Sequence, residues 1–458
     1  MKVIVCGAGQ VGFNIARHLA MENNDVVVID NSPELVKRVR DTLDAKGMIG
    51  HAASPDILEE AGAMDADLII AVTFSDEVNM VACQVAHSLF NIPTKIARVR
   101  QQFYLDPMWA NLFSPENLPI DVIISPEMEV ARAIHRRLRA PGAFEMIPLV
   151  DDKVRLLGVR CEDDCPIVNT PLRQLTQLFP ELNIVIIGIM RNNKAIMPNS
   201  NDQMLPGDEV YFVVDSEQVR RAMSVFGHEE PEARRMVIFG GGNIGMFLAQ
   251  EIERDSSGVN LKIVESNKKR AEIIIGGLDK AIVINGDILD PVILDEANVA
   301  SAEAVIAVTN DDETNILSAL LARQYGCQRT ISLINKITYE PLFGTLGIDV
   351  AVSPRNITIS TILQHVRRGR IHAVHTLREG FGELIEAEAL DTSDLVGQPL
   401  RDVKLPKGVI VGAIVRDGEV ICPRGGTIVE TKDRVVLFAA AEMVRKVEKM
   451  FSVQLEYF

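Results

Sequence analysis

The sequence predicts an α/β protein: two doubly wound parallel-sheet domains, each followed by a small, strand-rich α+β domain. Three observations carry that expectation. Apolar, β-branched runs alternate with helix-like stretches over two long segments, the pattern of parallel strands covered on both faces. A glycine motif of the form G-x-G-x-x-G occurs twice, at matched places in those segments. The intervening and final segments read as short strands broken by Gly, Pro and Asp. The chain has 458 residues, enough for several domains. The expected divisions are 1–142, 143–228, 229–371 (of which 229–235 is linker) and 372–458.

The first segment opens on the apolar run Lys2–Cys6, a strand buried on both faces, and passes into Gly7-Ala8-Gly9-Gln10-Val11-Gly12. The first glycine allows a tight turn, the second lets backbone approach a pyrophosphate, and the third lets the following helix pack against the strand. That helix begins near Val11, so its unpaired N–H groups and positive dipole end face the phosphates. A second apolar strand, Asp25–Ile29, ends at Asp30, followed by Asn31. An acid about 20 residues beyond the glycines is placed to grip a ribose hydroxyl pair, and it disfavours a 2′-phosphate. NAD is therefore favoured over NADP in a Rossmann-like site. The strand Leu68–Val72 leads into Thr73-Phe74-Ser75-Asp76-Glu77-Val78-Asn79. Thr73 and Phe74 stand outside the carboxyl end of that strand, where ligands of open parallel sheets lie. The Asp-Glu-x-Asn tail opens a helix and serves equally as a cap or as a ligand contact. Arg98 and Arg100 follow the next strand.

The small segment from 143 contains Pro166–Arg173, a turn at Arg191–Lys194 and Leu205-Pro206-Gly207-Asp208. A polar linker, Phe226–Arg235, carries Gly and Pro and no apolar period. The first segment then repeats. The strand Met236–Phe239 enters Gly240-Gly241-Gly242-Asn243-Ile244-Gly245, and Asn260–Val264 ends at Glu265. Lys268, Lys269 and Arg270 follow this acid and could attract further phosphate. Gly286-Asp287-Ile288-Leu289-Asp290-Pro291 matches Gly50–Pro55, which places Asp287 at a loop beside the cleft. Ala304–Val308 leads into Thr309, Asn310 and a second Asp-Glu-x-Asn, and Lys336 is the cation available after the next strand. The two sites should therefore differ chemically. In the last segment Leu395–Arg401, Ala413–Glu419 and Glu430–Val435 match turns of the earlier small segment, so the order is A-B-A-B. The alternative is a doubly wound sheet in which the glycines serve packing only.

Composition narrows the class. A net charge of −16 argues against general nucleic-acid binding. No apolar run approaches the roughly 18 residues that span a bilayer, and the N-terminus enters a strand without a cleavable signal pattern. The expectation is a cytoplasmic chain whose membrane association needs a protein partner. Six cysteines are scattered; Cys161 and Cys165 are close, but without a second ligand pair they read as reduced thiols rather than a zinc site. His372 and His375 likewise lack further ligands, so no metal site is expected. Each A segment ends in a basic run, His135–Arg139 and His365–Arg370. Cations there either complement a helix C-terminus or form a docking surface. A dehydrogenase would need an acid or base beside a substrate pocket, and the B segments offer no evident cluster for it. No catalytic residues are assigned; an NAD-dependent oxidoreductase remains the alternative class.

The A-B-A-B order, both glycine motifs, Asp30, Glu265 and the two Ala-Val-Thr-x-x-Asp-Glu-x-Asn segments resemble the RCK (KTN) regulators of potassium transport, most closely those with tandem repeats. The resemblance covers essentially the whole chain. It implies Rossmann-like RCK N-domains at 1–142 and 229–371 and RCK C-domains at 143–228 and 372–458. It also implies NAD(H) binding, and ATP or ADP binding, at the N-domains. It implies a ring of RCK domains, here a homotetramer, beneath a membrane-embedded potassium pore subunit on the cytoplasmic face of the inner membrane. Single-repeat relatives often carry an Arg after the second motif glycine; Gln10 and Asn243 stand there instead. Arg98 is then the basic candidate of the first site.

Overall fold

Strand β1 (Lys2–Cys6) shows why the first sheet forms where it does. Val3 and Val5 bury against Ile15 and Leu19 on one face, while Ile4 and Cys6 bury with Ile69 and Cys83 on the other. An apolar run with no polar face is stable only between two layers of helices. The computed structural model describes the chain except residues 22–23, 180–181, 193, 256–257, 343–345, 367–370, 378–380, 441 and 452–458. Around β1 stand β2 (Asp25–Asp30), β3 (Lys46–Ile49), β4 (Leu68–Ala71), β5 (Thr94–Arg98) and β6 (Val122–Ile124). The order is β3-β2-β1-β4-β5-β6, with every pair parallel. The order reverses between β1 and β4, which opens a crevice at their carboxyl ends.

The sheet recurs with β12 (Arg235–Phe239), β13 (Asn260–Glu265), β14 (Ile282–Asn285), β15 (Ala304–Ala307), β16 (Arg329–Leu333) and β17 (Val350–Val352), in the order β14-β13-β12-β15-β16-β17. Between the two lies an antiparallel sheet of β7 (Ala143–Leu149), β8 (Val154–Arg160), β9 (Ile184–Arg191), β10 (Lys194–Ile196) and β11 (Glu209–Asp215), ordered β10-β9-β11-β8-β7. The last sheet holds β18 (Ile371–Thr376), β19 (Gly382–Glu388), β20 (Val409–Arg416), β21 (Glu419–Ile421) and β22 (Arg434–Ala440), ordered β18-β19-β22-β20-β21. The predicted α/β class, with parallel sheets each followed by a small α+β module, is what the chain adopts.

Two units group these parts in a way the sequence order does not suggest. One holds Met1–Val130 with Ser353–Val366; the other holds Ala131–Val352 with Arg367–Phe458. In the first unit the helix Pro354–Val366, which follows the second parallel sheet in sequence, lies on the helix Gln10–Met21. Its Ile359, Ile362, Leu363 and Val366 complete the core around Ile15 and Leu19. In the second unit, the part of the helix Pro126–Leu138 from Ala131 onward faces the helix Asn243–Asp255, with Arg132 Nε 3.9 Å from Glu251.

The two antiparallel sheets both belong to the second unit and share one apolar core. Leu156, Tyr211 and Val213 of the earlier sheet bury with Phe381, Leu384 and Phe438 of the later one. Tyr211, Phe381 and Phe438 form a chain of rings with centroids 5.3 and 5.1 Å apart. Gly188 is bare because a Cβ there would run into the Phe381 ring. The buried Glu386 accepts a hydrogen bond from Val150 N at 2.8 Å and pairs with Arg434.

Candidate functional site

The first glycine loop spans the turn from β1 into the helix Gln10–Met21. Gly7 adopts φ +106°, a region closed to most side chains. A Cβ on Gly12 would collide with the Gly7 carbonyl oxygen, so the third glycine is required for the helix to approach the strand. Gly9, by contrast, is exposed, and a Cβ there would meet nothing within 4 Å. Space rather than packing surrounds the second glycine, as a cradle for a ligand phosphate needs. The second loop repeats each feature: Gly240 has φ +100°, a Cβ on Gly245 would collide with the Gly240 carbonyl, and Gly242 faces open space. The helices begin at Gln10 and Asn243, one residue before the expected Val11 and Ile244.

The acids at the ends of β2 and β13 tie these loops down. Asp30 accepts from Ala8 N at 2.6 Å and from Ser32 N at 2.8 Å. Glu265 accepts from Gly241 N at 2.8 Å and from Asn267 N at 2.7 Å. Each carboxylate is therefore held at the mouth of its loop, and an ionised carboxylate retains further lone pairs for hydroxyl donors. Asn31 is exposed beside Asp30. Asp287 is exposed and accepts from Leu289 N at 2.9 Å, holding its own turn.

Thr73 and Thr309 stand where β4 and β15 end, in a shared arrangement that the sequence left open. Thr73 donates from N and Oγ1 to Asn79 Oδ1 at 2.8 and 2.7 Å, and Asn79 Nδ2 donates to the carbonyls of Thr73 and Arg98 at 3.2 and 2.9 Å. Thr309 and Asn315 repeat this, with Leu333 O at 3.2 Å in place of Arg98 O. Asp76 accepts from Arg100 N and Gln101 N at 2.9 and 2.8 Å; Asp312 accepts from Asn335 N and Lys336 N at 2.9 and 2.8 Å. The helices themselves are capped by Ser75 and Asp311. The buried Asp and Asn of each motif thus fasten the loop after β5 or β16 to the crevice. Phe74 is 85% exposed, with Arg100 5.6 Å above its ring, while Asn310 is the exposed counterpart.

The cations differ between the copies. Arg98 lies beneath the first crevice, where Nη2 donates to Thr73 O at 2.7 Å and Nε is buried without a partner among the described residues. Burial, then the neighbouring Arg100, pulls its pKa down, against the opposing pull of Glu127 and Asp76. The register of the asparagine bonds puts Leu333 at the matching place in the second copy. There Arg270 supplies the cation from another direction: Nε donates to Gly241 O at 2.7 Å and Nη2 to Asn243 Oδ1 at 3.4 Å. Leu35 occupies the equivalent first-copy position, which follows Asp30 as Arg270 follows Glu265. Lys336 instead pairs with Glu313 at 2.7 Å. Open second glycines, anchored carboxylates and a cation at each crevice fit a nucleotide with phosphates over the loop and its ribose at the acid.

Other residues singled out by the sequence lie elsewhere. In the first basic run His135 and Arg137 are buried, and Arg137 bonds Ala133 O, Phe144 O and Glu145. Arg329 Nη2 donates to Arg137 O and Ala143 O, both at 2.9 Å, a half-buried cation closing that helix end. Those two side chains face inward, as the helix-end reading requires and a docking surface does not. The second run from residue 367 onward lies outside the described residues, as does the side chain of His372. Cys161 and Cys165 are buried free thiols in the core of the earlier antiparallel sheet.

The TrkA-N domain model matches residues 3–126 and 236–354, and the TrkA-C domain model matches 156–227 and 384–452. The chain is 53% identical over 458 residues to the Trk system potassium uptake protein TrkA of Azorhizobium caulinodans, covering 100% of each. It is 40% identical over 462 residues to the same-named protein of Halomonas elongata, again over 100% of each. Among solved structures, the GsuK RCK domain aligns with TM-score 0.61 at 18% identity, over 98% of this chain and 94% of that one. The GsuK channel bound to NAD aligns with TM-score 0.61 at 17% identity, over 98% and 78%. At such identity the likeness is one of fold.

Proposed function

This chain belongs to the TrkA family of Trk-system potassium uptake proteins, and from that premise we propose that it is the nucleotide-sensing regulatory subunit of such a system. It binds NAD(H), and ATP or ADP, at its two glycine loops and gates a membrane-embedded Trk potassium pore through a change in shape of an RCK ring. Four chains form that ring at the cytoplasmic face of the inner membrane, each with N-domains at 1–142 and 229–371 and C-domains at 143–228 and 372–458. The observation that carries the reading is the duplicated cradle. Two loops in one chain each keep the second glycine open and the acid anchored to a loop amide. Among the described residues no helix is long and apolar enough to cross a membrane.

Nucleotides act by population shift. A ligand with a hundredfold preference for one ring shape contributes about 2.7 kcal/mol per site. Reversing a 1:99 equilibrium needs about 5.5 kcal/mol, so a few sites acting on one ring swing the gate.

The test has two stages. The purified chain is melted with NAD, NADH, NADPH, ATP and ADP, alongside Asp30→Ala and Glu265→Ala. Nucleotide at about a hundred times its Kd adds about 2.7 kcal/mol, a rise of several degrees. Each variant should lose the contribution of one site. Potassium flux is then read with the pore subunit in liposomes. Flux indifferent to all five nucleotides would reject gating, and melting indifferent to them would reject the ligand.

A further inference from the structure

Away from the glycine loops, three side chains of the second unit converge on one spot. Glu251 and Asp255 lie one turn apart on the helix Asn243–Asp255, and His135 meets them from the helix ending at Leu138. One ligand atom from each lies within 4.8 Å of the other two. The His135 side chain is only 8% exposed, its Nδ1 is 3.9 Å from Asp255 Oδ2, and its Nε2 has no hydrogen-bond partner among the described residues. Nδ1 lies too far from Asp255 for a hydrogen bond and can offer its lone pair to an ion held between them.

We propose that His135, Glu251 and Asp255 form a binding site for a divalent transition-metal ion of the zinc class. One imidazole and two carboxylates leave a fourth position for water in a tetrahedral set. The imidazole selects zinc-like ions over magnesium or calcium, which prefer all-oxygen shells. Bonds of about 2.0–2.1 Å bring ligand atoms to roughly 3.3 Å apart, so the cluster closes by up to about 1.5 Å on binding. Arg254 is the competing cation: it pairs with Glu251, and with Asp255 at 3.1 Å. Its side chain is 66% exposed, so it can swing into solvent and surrender both acids to the metal. Arg132 reaches Glu251 from the other side at 3.9 Å and can remain beside the bound carboxylate. The metal would clamp the helix end carrying His135 to the helix that opens from the second glycine loop.

The full chain is stripped with chelator, exposed to zinc chloride alone or magnesium chloride alone, desalted, and its metal content measured. Wild type should retain one zinc per chain and no magnesium. Glu251→Gln and His135→Gln should weaken zinc binding at least about a hundredfold. Arg254→Gln should strengthen it about tenfold, because a competing cation is gone. Circular dichroism of each variant checks folding, and if His135→Gln does not fold, Glu251→Gln and Arg254→Gln decide. Failure of wild type to retain zinc, equal zinc in wild type and Glu251→Gln, or weaker binding by Arg254→Gln would each overturn the proposal.

Discussion

At the scale of single residues, the two glycine loops differ less in backbone than in the charges beside them. Gly12→Ala drives a Cβ into the Gly7 carbonyl, so the loop must open. The expected result is a loss of about 1–3 kcal/mol in chemical denaturation together with loss of the first nucleotide response. The cations should separate the sites. Arg98→Ala removes the half-buried guanidinium of the first crevice and should weaken that site alone, while Arg270→Ala should weaken only the second. Titration of each variant against NADH checks this, and a tenfold or greater change per lost charge-assisted bond corresponds to about 1.5–3 kcal/mol. If both variants affected one site, the assignment of cations would be wrong. The glycines and acids were legible because their chemistry is local and ordered. Arg98 was legible as a basic residue after a strand, but its unpartnered Nε depends on what packs around it.

At the scale of elements, the Asp-Glu-x-Asn motif is a fastener. Asn79 and Asn315 are buried and bond the ends of two neighbouring strands; Asp76 and Asp312 bond the loop that follows. Asn79→Leu leaves Thr73 N and Arg98 O without their partner, at a cost of about 1–3 kcal/mol per unsatisfied group. The expectation is a lower melting temperature and a weaker first-site response, with the second site unaffected. The sequence could not choose between cap and ligand contact because both use acids in a first helical turn. The small modules repeat the same economy: Arg191 grips Asp208 and Arg416 grips Asp433, each through two bonds of 2.7–2.9 Å, fixing turns seen in the sequence only as repeated Asp positions.

At the scale of the molecule, the antiparallel sheets stand or fall together. Phe381→Ala empties the ring chain between Tyr211 and Phe438 and should cost about 3–5 kcal/mol. Acid should weaken the fold as well. Burial, with Arg136 nearby, pushes His375 down to about 4, and His135 and His365 shift the same way. A depressed folded pKa means the unfolded chain binds the proton first. The stability is therefore complete above about 6.5 and is lost as pH falls toward 4, by about 3 kcal/mol for His375. Melting temperature against pH should decline through that window, and His375→Gln should flatten the decline. An unchanged slope would show that other groups carry it.

The sequence by itself determined the repeat, the parallel, doubly wound class of the two large sheets, the glycine loops with Asp30 and Glu265, and the alternation of large and small modules. These follow from periodicity and from residue types whose backbone or charge requirements act within a few tens of residues. Only the tertiary structure decided where the helices Pro126–Leu138 and Pro354–Val366 dock, that the two antiparallel sheets share a core, that Arg270 rather than Lys336 bonds the second glycine loop, and that His135 meets Glu251 and Asp255. Those are pairings between segments far apart in the chain, fixed by which apolar faces remain uncovered once each sheet has formed, and no local pattern records them.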